Sequence, residues 1–304
     1  MGSGAVGQMD RARTRRLGAK RLIVAASALL LIPGRAGLAQ RNGLAFWEPD
    51  PGKVDAVLQA NSKQDRERYG ILRRSFANFE CTGDLMEQQR VSKHDDNLIC
   101  ALPGQSGDRV VVAARYDRDG DGWPTWDDAI MLPLLYHALQ AQPRQHTFVF
   151  AALHGYSGEK TFFEWLERSG AEPSANIVIE NMGLGEPNCY TVRPKKPGPG
   201  KDDWGINGML CGQAAATRRL MGLPASDSPN ALADPFANFV LTRRATLFES
   251  DLYKRARSAP SALLYSDVSI QATKGAFYQD FDFAAWVLCQ IDRKLQAAEP
   301  TVAK

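Results

Sequence analysis

The sequence predicts an α/β protein of three layers, α/β/α, in which helices cover both faces of a central, mostly parallel (mixed) sheet. The runs 109–116 (RVVVAARY) and 146–153 (HTFVFAAL) are apolar along most of their length, as strands buried on both faces are. Helical segments separate successive strands, which is the pattern of parallel sheets. No internal repeat or second hydrophobic core is evident, so residues 40–304 are expected to form a single domain.

Each element follows from a local pattern along the chain. Charged and apolar residues interleave over 50–80, which favours helix. Apolar runs bounded by turn residues predict strands at 97–102, 109–116, 146–153, 176–180 and 261–266. Further helices are predicted at 129–140, 159–169, about 212–221 and about 283–297. Residues 191–205 (TVRPKKPGPGKDDWG) are rich in proline and glycine and predict an excursion loop.

Residues 1–39 have the composition of an export signal. Six basic residues precede the apolar run 22–32, and Gly37 and Ala39 supply small residues at a cleavage site. The stretch 14–20 resembles a twin-arginine signal, with a Sec-type signal or an uncleaved anchor as alternatives. The apolar run is shorter than the about 20 residues of a stable membrane span. We therefore expect a periplasmic or secreted protein, held at a membrane only if the signal stays uncleaved.

The net positive charge of the chain comes from that predicted signal. The formal net charge is +3, and residues 1–39 carry seven basic side chains and one acidic side chain, so residues 40–304 have a net charge of −3. Nucleic-acid binding normally requires a basic surface, so we expect no nucleic-acid partner. A peptide or a small molecule remains as the expected kind of ligand.

The five cysteines all lie after residue 39, and none forms a CxxC pair that would indicate a zinc ribbon or a redox site. In an oxidising compartment, Cys81–Cys100 and Cys189–Cys211 are expected to form disulfides, each closing a loop of roughly twenty residues. Cys289 lies on an apolar helical stretch and is expected to be a buried thiol.

The segments NLICALPG, VVVAARYD, PRQHTFVF and NIVIENMGLG follow one another in a characteristic order. This order resembles that of the zinc-dependent exopeptidases of the aminopeptidase and glutaminyl cyclase type, over roughly residues 60–295. The resemblance implies one α/β domain with two zinc ions at the carboxyl ends of the strands and a glutamate as general base. The loops after Tyr116, Leu153 and Glu180 are therefore where a site is expected.

The chain lacks most of the zinc ligands that this resemblance implies. The first ligand is a histidine in a His-aromatic-Asp triplet, and the corresponding triplet 115–117 (RYD) begins with Arg115, whose guanidinium has no lone pair for zinc. The bridging aspartate corresponds to Pro124, or to Asp127 or Asp128 after a small shift in register.

A pair of glutamates is implied after strand 146–153, where the chain has Leu153 and His154. The nearest carboxylate is Glu159, which we expect to open the next helix. His154 stands at the end of a strand and is the best lone candidate for acid/base catalysis, with Glu159 as the second candidate.

The two remaining ligands are also replaced. An implied aspartate falls at Asn181 or Gly183, and the final histidine corresponds to Ala272. The four histidines of the chain all lie at or before residue 154, so the late histidine is absent in every register. We therefore expect zinc binding to be lost.

Residues 117–128 (DRDGDGWPTWDD) match the spacing of a calcium-binding loop. Its ligands would be the side chains of Asp117, Asp119, Asp121 and Asp128 and the carbonyl of Trp123. A solvated acidic turn is the alternative interpretation.

Arg115, Glu180 and Asn181 are expected at the same edge of the sheet. An arginine there could bind a ligand carboxylate through a bidentate fork, which would leave a binding pocket without catalysis. The alternative is an ion pair between Arg115 and a neighbouring acid that fills the space of the lost metal site.

These observations favour an exported, zinc-aminopeptidase-like protein that is catalytically inactive and acts as a binding or scaffold domain. Two alternatives stay open, an active metallohydrolase or peptidase with a relocated or single-metal site and a calcium-stabilised binding module.

Overall fold

A seven-stranded mixed sheet organises the protein. The computed structural model describes residues 38–41, 44–117, 125–169, 173–183, 185–191, 204–223, 261–268 and 274–298. All of them belong to one compact unit, Ala36–Lys304. The predicted signal, residues 1–39, lies outside the described residues except for its last two.

In chain order, the described strands are β1 (Leu38–Arg41), β2 (Leu44–Trp47), β3 (Met86–Arg90), β4 (Asp96–Leu102), β5 (Arg109–Arg115), β6 (Thr147–Leu153), β7 (Ala175–Glu180), β8 (Gly185–Thr191) and β9 (Ser261–Val268). The described helices are α1 (Pro51–Gln59), α2 (Asp65–Asn78), α3 (Thr125–Ala138), α4 (Gly155–Arg168), α5 (Trp204–Leu220) and α6 (Lys274–Ala298).

The strand order of the large sheet is β3-β4-β6-β5-β7-β9-β8, and β1 and β2 form a separate antiparallel hairpin. The four central strands, β6, β5, β7 and β9, run parallel, whereas β3, β4 and β8 join them in antiparallel pairs. The predicted mixed α/β/α sheet is confirmed, with its parallel part in the centre. The carboxyl ends of β5, β6 and β7 lie at one edge, so the loops after them meet there.

Both faces of the sheet are covered by apolar side chains. In β5, the residues Val110–Ala114 are all buried, and their side chains alternate between two core clusters. The larger cluster includes residues of α2, α3 and α6, and the smaller one includes Phe162, Phe163 and Leu166 of α4. This two-sided burial explains why the strand is apolar along its length.

Some element boundaries differ from those predicted. Residues 50–80 form two helices, and the first begins after Asp50, whose carboxylate accepts the N–H groups of Gly52 and Lys53. Helix α4 begins at Gly155, so Glu159 lies inside the helix and does not open it. The sequence did not predict this first turn because Gly155 and Gly158 lower its helix propensity.

Other elements were not predicted. The α6 helix begins at Lys274, about nine residues early, because buried Phe277 and Phe281 outweigh a local sequence with weak helix propensity. The edge strand β3 (MEQQR) has no apolar alternation and is defined by its pairing with β4. Thr191, the first residue of the predicted loop 191–205, belongs to β8, and residues 192–203 lie outside the described part.

The two predicted disulfides, Cys81–Cys100 and Cys189–Cys211, are present. Cys289 is a free, buried thiol, as predicted, and burial raises its pKa to about 12. Disulfides persist mainly in oxidising compartments. Among the described helices, none is both long and apolar enough to cross a bilayer.

Asp292 of α6 anchors the start of β6. Its carboxylate accepts the backbone N–H groups of Gln145 (3.0 Å) and His146 (2.9 Å) and lies 2.9 Å from Nδ1 of His146. Burial alone would raise the pKa of Asp292, but the bonds from the His146 ring and from the two N–H groups outweigh burial and lower it. The charged form of Asp292 therefore stabilises the fold.

Asp292→Asn should lower the free energy of unfolding by about 1–3 kcal/mol near neutral pH, because a neutral amide accepts these bonds more weakly. The pKa is depressed in the folded state, so this stabilisation is present above the unfolded-state value of about 3.9 and is lost as the pH falls through the folded-state value. Urea unfolding of both proteins across this range measures the difference. Asp84→Asn, at an exposed position, is the control. A constant difference at every pH would contradict the assignment.

Candidate functional site

An ion pair occupies the end of β5, where the resemblance placed the first zinc ligand. Arg115 donates from Nε to Oδ1 of Asp117 (3.0 Å) and from Nη2 to Oδ2 (2.7 Å), so the contact is bidentate. The two side chains are only 14% and 12% exposed. Asp117 is therefore the neighbouring acid of the alternative interpretation, in which Arg115 forms an ion pair and does not bind a ligand carboxylate.

The same carboxylate fixes the loop after β6. Oδ1 of Asp117 accepts the backbone N–H of Gly155 at 2.9 Å. Gly155 has a φ of 58°, and a Cβ at this position would lie 3.3 Å from Oδ2 of Asp117. Glycine is therefore required both by the backbone conformation and by the close approach of the carboxylate.

At the end of β7, carboxylates also bind backbone N–H groups. Asp128, on α3, accepts the N–H of Asn181 (2.9 Å) and of Met182 (2.7 Å), while Asp280 of α6 accepts the N–H of Gly183. Asn181 has a φ of 55°, a conformation that asparagine tolerates better than most residues. These bonds hold the turn that follows Glu180.

Burial is the main cause of the raised pKa values of two carboxyl groups on α3, those of Asp127 and Asp128. It raises the pKa of Asp128 well above its ordinary value, and the nearby carboxylates of Glu180 and Asp127 add to the shift, against the two N–H bonds. Burial also raises the pKa of Asp127 to about 6, although the guanidinium of Arg68 opposes the shift.

Two of the described positions at which zinc ligands are implied carry side chains that cannot bind zinc. Arg115 offers a cation, and Leu153 is an apolar core residue. The backbone N–H of Asn181 donates to Asp128. Pro124 and Ala272 lie outside the described residues. Within the described part of the chain, no three His, Cys, Asp or Glu side chains are grouped so as to hold a metal ion.

The two ends of the predicted calcium loop are described, and its middle is not. Asp117 binds Arg115 and Gly155, and Asp128 binds backbone N–H groups, while Asp119, Asp121 and Trp123 lie outside the described residues. Calcium binding by this loop stays a prediction.

The predicted Arg115–Glu180–Asn181 pocket would lie across the ends of two neighbouring strands, β5 and β7. Ala113 of β5 pairs with Val178 of β7, so Arg115 and Glu180 stand at neighbouring strand ends, two residues further on. Arg115 is engaged by Asp117, and the pocket stays a prediction.

His154 lies at the end of β6 and faces carboxylates from two other elements. Its Nε2 atom is 3.2 Å from Oδ2 of Asp65 on α2 and 3.4 Å from Oδ1 of Asp95, just before β4. The ring also contacts Tyr116 edge-on, with centroids 5.4 Å apart. No sequence motif connects Asp65 or Asp95 to His154, which is why the sequence did not reveal this cluster. The other catalytic candidate, Glu159, is buried in α4.

A cleft of about 470 Å³ opens beside His154, between α2 and the β3–β4 hairpin. Tyr69 and Tyr116 line it together with His154 and His94. Its cationic lining residues are Arg66, Arg73, Arg90 and Lys93, and its acidic ones are Asp65, Asp95 and Asp96. The volume lies within the range of about 300–1,000 Å³ that is typical of small-ligand sites.

The fold has known counterparts. No protein-family model and no curated protein sequence matches the chain significantly. The LapA aminopeptidase of Legionella pneumophila is 8% identical, with a TM-score of 0.50 over 83% of this chain and 78% of LapA. LapB of the same organism is 9% identical, with a TM-score of 0.54 over 80% and 72%. An Acidobacteriales bacterium glutaminyl cyclase is 13% identical, with a TM-score of 0.52 over 81% and 92%. The predicted resemblance is thus confirmed at the level of the fold.

Gly155→Ala should lower the free energy of unfolding by about 1–3 kcal/mol, because an L-residue is strained at this φ and its Cβ would displace Asp117. Gly107→Ala is the matched control, since a Cβ there meets no atom within 4 Å. Its effect should stay within about 0.5 kcal/mol. Urea denaturation compares the two, and equal effects would mean that the carboxylate contact does not constrain this loop.

Proposed function

We propose that the protein is an exported binding domain built on the aminopeptidase fold, and that it does not catalyse zinc-dependent hydrolysis. The observation that carries this proposal is the largely buried ion pair between Arg115 and Asp117 at the strand end where the first zinc ligand is implied. Zinc would have to bind beside a guanidinium that lacks a lone pair and that repels the metal ion.

The neighbouring contacts support the same conclusion. Asp128, a candidate bridging ligand, accepts two backbone N–H groups, one on each carboxylate oxygen, so its geometry serves the fold. A catalytic zinc site needs several donors and an open coordination position. The described residues at this edge are instead engaged with one another.

Export is supported by two independent features. The first 39 residues have the composition of a signal peptide, and the rest of the chain carries two disulfides, which persist in oxidising compartments. A periplasmic or secreted location is thus part of the proposal. A binding role is supported by the cleft beside His154, which has the size of a small-ligand site.

The protein purified without chelator should contain far less than the about two zinc ions per chain of a paired-zinc peptidase. It should release no amine from aminoacyl p-nitroanilides and cyclise no N-terminal glutaminyl peptide when zinc is added. Elemental analysis and both assays measure this, with an active zinc aminopeptidase run in parallel. Arg115→His should restore neither zinc nor activity, because the other ligand positions remain replaced.

Stoichiometric zinc together with hydrolysis would overturn the proposal. Hydrolysis without two zinc ions per chain would instead favour the second candidate function, a metallohydrolase or peptidase with a relocated or single-metal site. The contact of His154 with Asp65 in an accessible cleft is the observation that favours it, since a histidine oriented by a carboxylate can act as a general base. Such activity should be lost in His154→Gln.

Calcium stabilisation is a separate proposal for the 117–128 loop. If calcium binds only the folded protein, the melting temperature should rise with calcium concentration, by an amount equivalent to about 2.7 kcal/mol at a hundredfold excess over Kd. Asp119→Asn should abolish the shift while leaving the contacts of Asp117 and Asp128 in place. Differential scanning calorimetry measures it. No shift at millimolar calcium would leave the loop as a solvated acidic turn.

A further inference from the structure

The cleft beside His154 has a cationic wall on α2. Arg66, Tyr69 and Arg73 are spaced three and four residues apart, so they share one face of the helix, and all three line the cleft. Arg66 and Arg73 are separated by two helical turns, or about 10 Å along the axis. The opposite wall is the β3–β4 hairpin, whose turn contributes Lys93.

The carboxylates of the cleft are engaged within the protein. Oδ1 of Asp96 lies 2.8 Å from Nε of Arg90 in an ion pair, and Oδ2 accepts from the amide of Gln88 at 2.8 Å. Asp65 and Asp95 both face Nε2 of His154, and Asp95 also accepts from Oγ of Ser92 at 2.6 Å. The negative charge that lines the cleft is therefore directed to protein donors.

The cations have no such partners. Across the described ranges, Arg66, Arg73 and Lys93 form no ion pair, whereas Arg90 is bound to Asp96. Three positive groups from two elements thus line one concave space without forming an ion pair with its carboxylates. Tyr69 and Tyr116 add aromatic surface to the lining, against which the apolar part of a ligand can pack.

We propose that this cleft binds a small organic anion with at least two separated negative groups, held by Arg66, Arg73 and Lys93. Guanidinium groups bind carboxylates and phosphates through planar, paired hydrogen bonds. The distance between the two arginines along α2 favours an extended ligand with spaced charges over a single compact anion. The proposal names a ligand class for the binding role proposed above and rests on it.

The test uses three probes on the full chain, namely a tri-glutamate peptide, citrate and inorganic phosphate. Calorimetric titration at low ionic strength should show binding of tri-glutamate and citrate and weaker binding of phosphate, with affinities that fall as salt is added. The double variant Arg66→Gln/Arg73→Gln should weaken tri-glutamate and citrate binding at least about tenfold, the effect of losing charge-assisted hydrogen bonds.

Arg74→Gln is the matched control, because Arg74 is an exposed neighbour on α2 that does not line the cleft. It removes a positive charge next to Arg73 and should change affinity less than twofold. All three arginine side chains are exposed, so the variants should keep the wild-type melting temperature, which is measured alongside.

Several outcomes would overturn the inference. No binding of any probe by the wild-type chain would remove the anion site, and an equal loss in Arg74→Gln would reduce it to nonspecific charge attraction. Phosphate binding as tight as that of tri-glutamate and citrate would refute the spaced-charge requirement. Zinc-dependent hydrolysis alongside intact anion binding would overturn the proposed function alone, whereas failure of binding without hydrolysis would overturn only the ligand assignment.

Discussion

The ion pair between Arg115 and Asp117 is the interaction on which the functional edge of the sheet depends. It is a bidentate contact between two residues at the end of β5. The carboxylate of Asp117 also accepts the Gly155 N–H and so fixes the start of the segment after β6. Removing either partner would weaken the compensation of a nearly buried charge, which is destabilising. The pair therefore constrains the residues directly after β5 and β6, at the sheet edge where α/β proteins ordinarily build their sites.

The turn after β7 is constrained by the same means. Asp128 and Asp280 approach from helices α3 and α6 and accept N–H groups of the turn after β7. Both carboxylates thus bind backbone donors, and burial raises the pKa of Asp128. Within the described residues, an accessible cleft lies between α2 and the β3–β4 hairpin.

Sequence reasoning succeeded where a short pattern carries the physical cause. Uninterrupted apolar runs predicted the two-sided burial of β5 and β6, and cysteine spacing predicted both disulfides. It failed where the cause is tertiary. β3 is a strand only because β4 pairs with it. Asp65 and His154 are 89 residues apart, and no local pattern could bring them together. The Arg115–Asp117 contact was foreseeable as an alternative because both residues belong to one triplet.

The charge of the chain sharpens the interpretation of the cleft. Residues 40–304 have a net charge of −3, so the long-range field of the domain does not attract anions. At physiological ionic strength the Debye length is about 8 Å, which confines the influence of each exposed cation to its neighbourhood. Any preference of the cleft for an anion must then come from the local convergence of Arg66, Arg73 and Lys93. The face of α2 and the hairpin turn set that convergence. The positions of the arginines on the helix, and not their number, should therefore decide whether the cleft binds an anion.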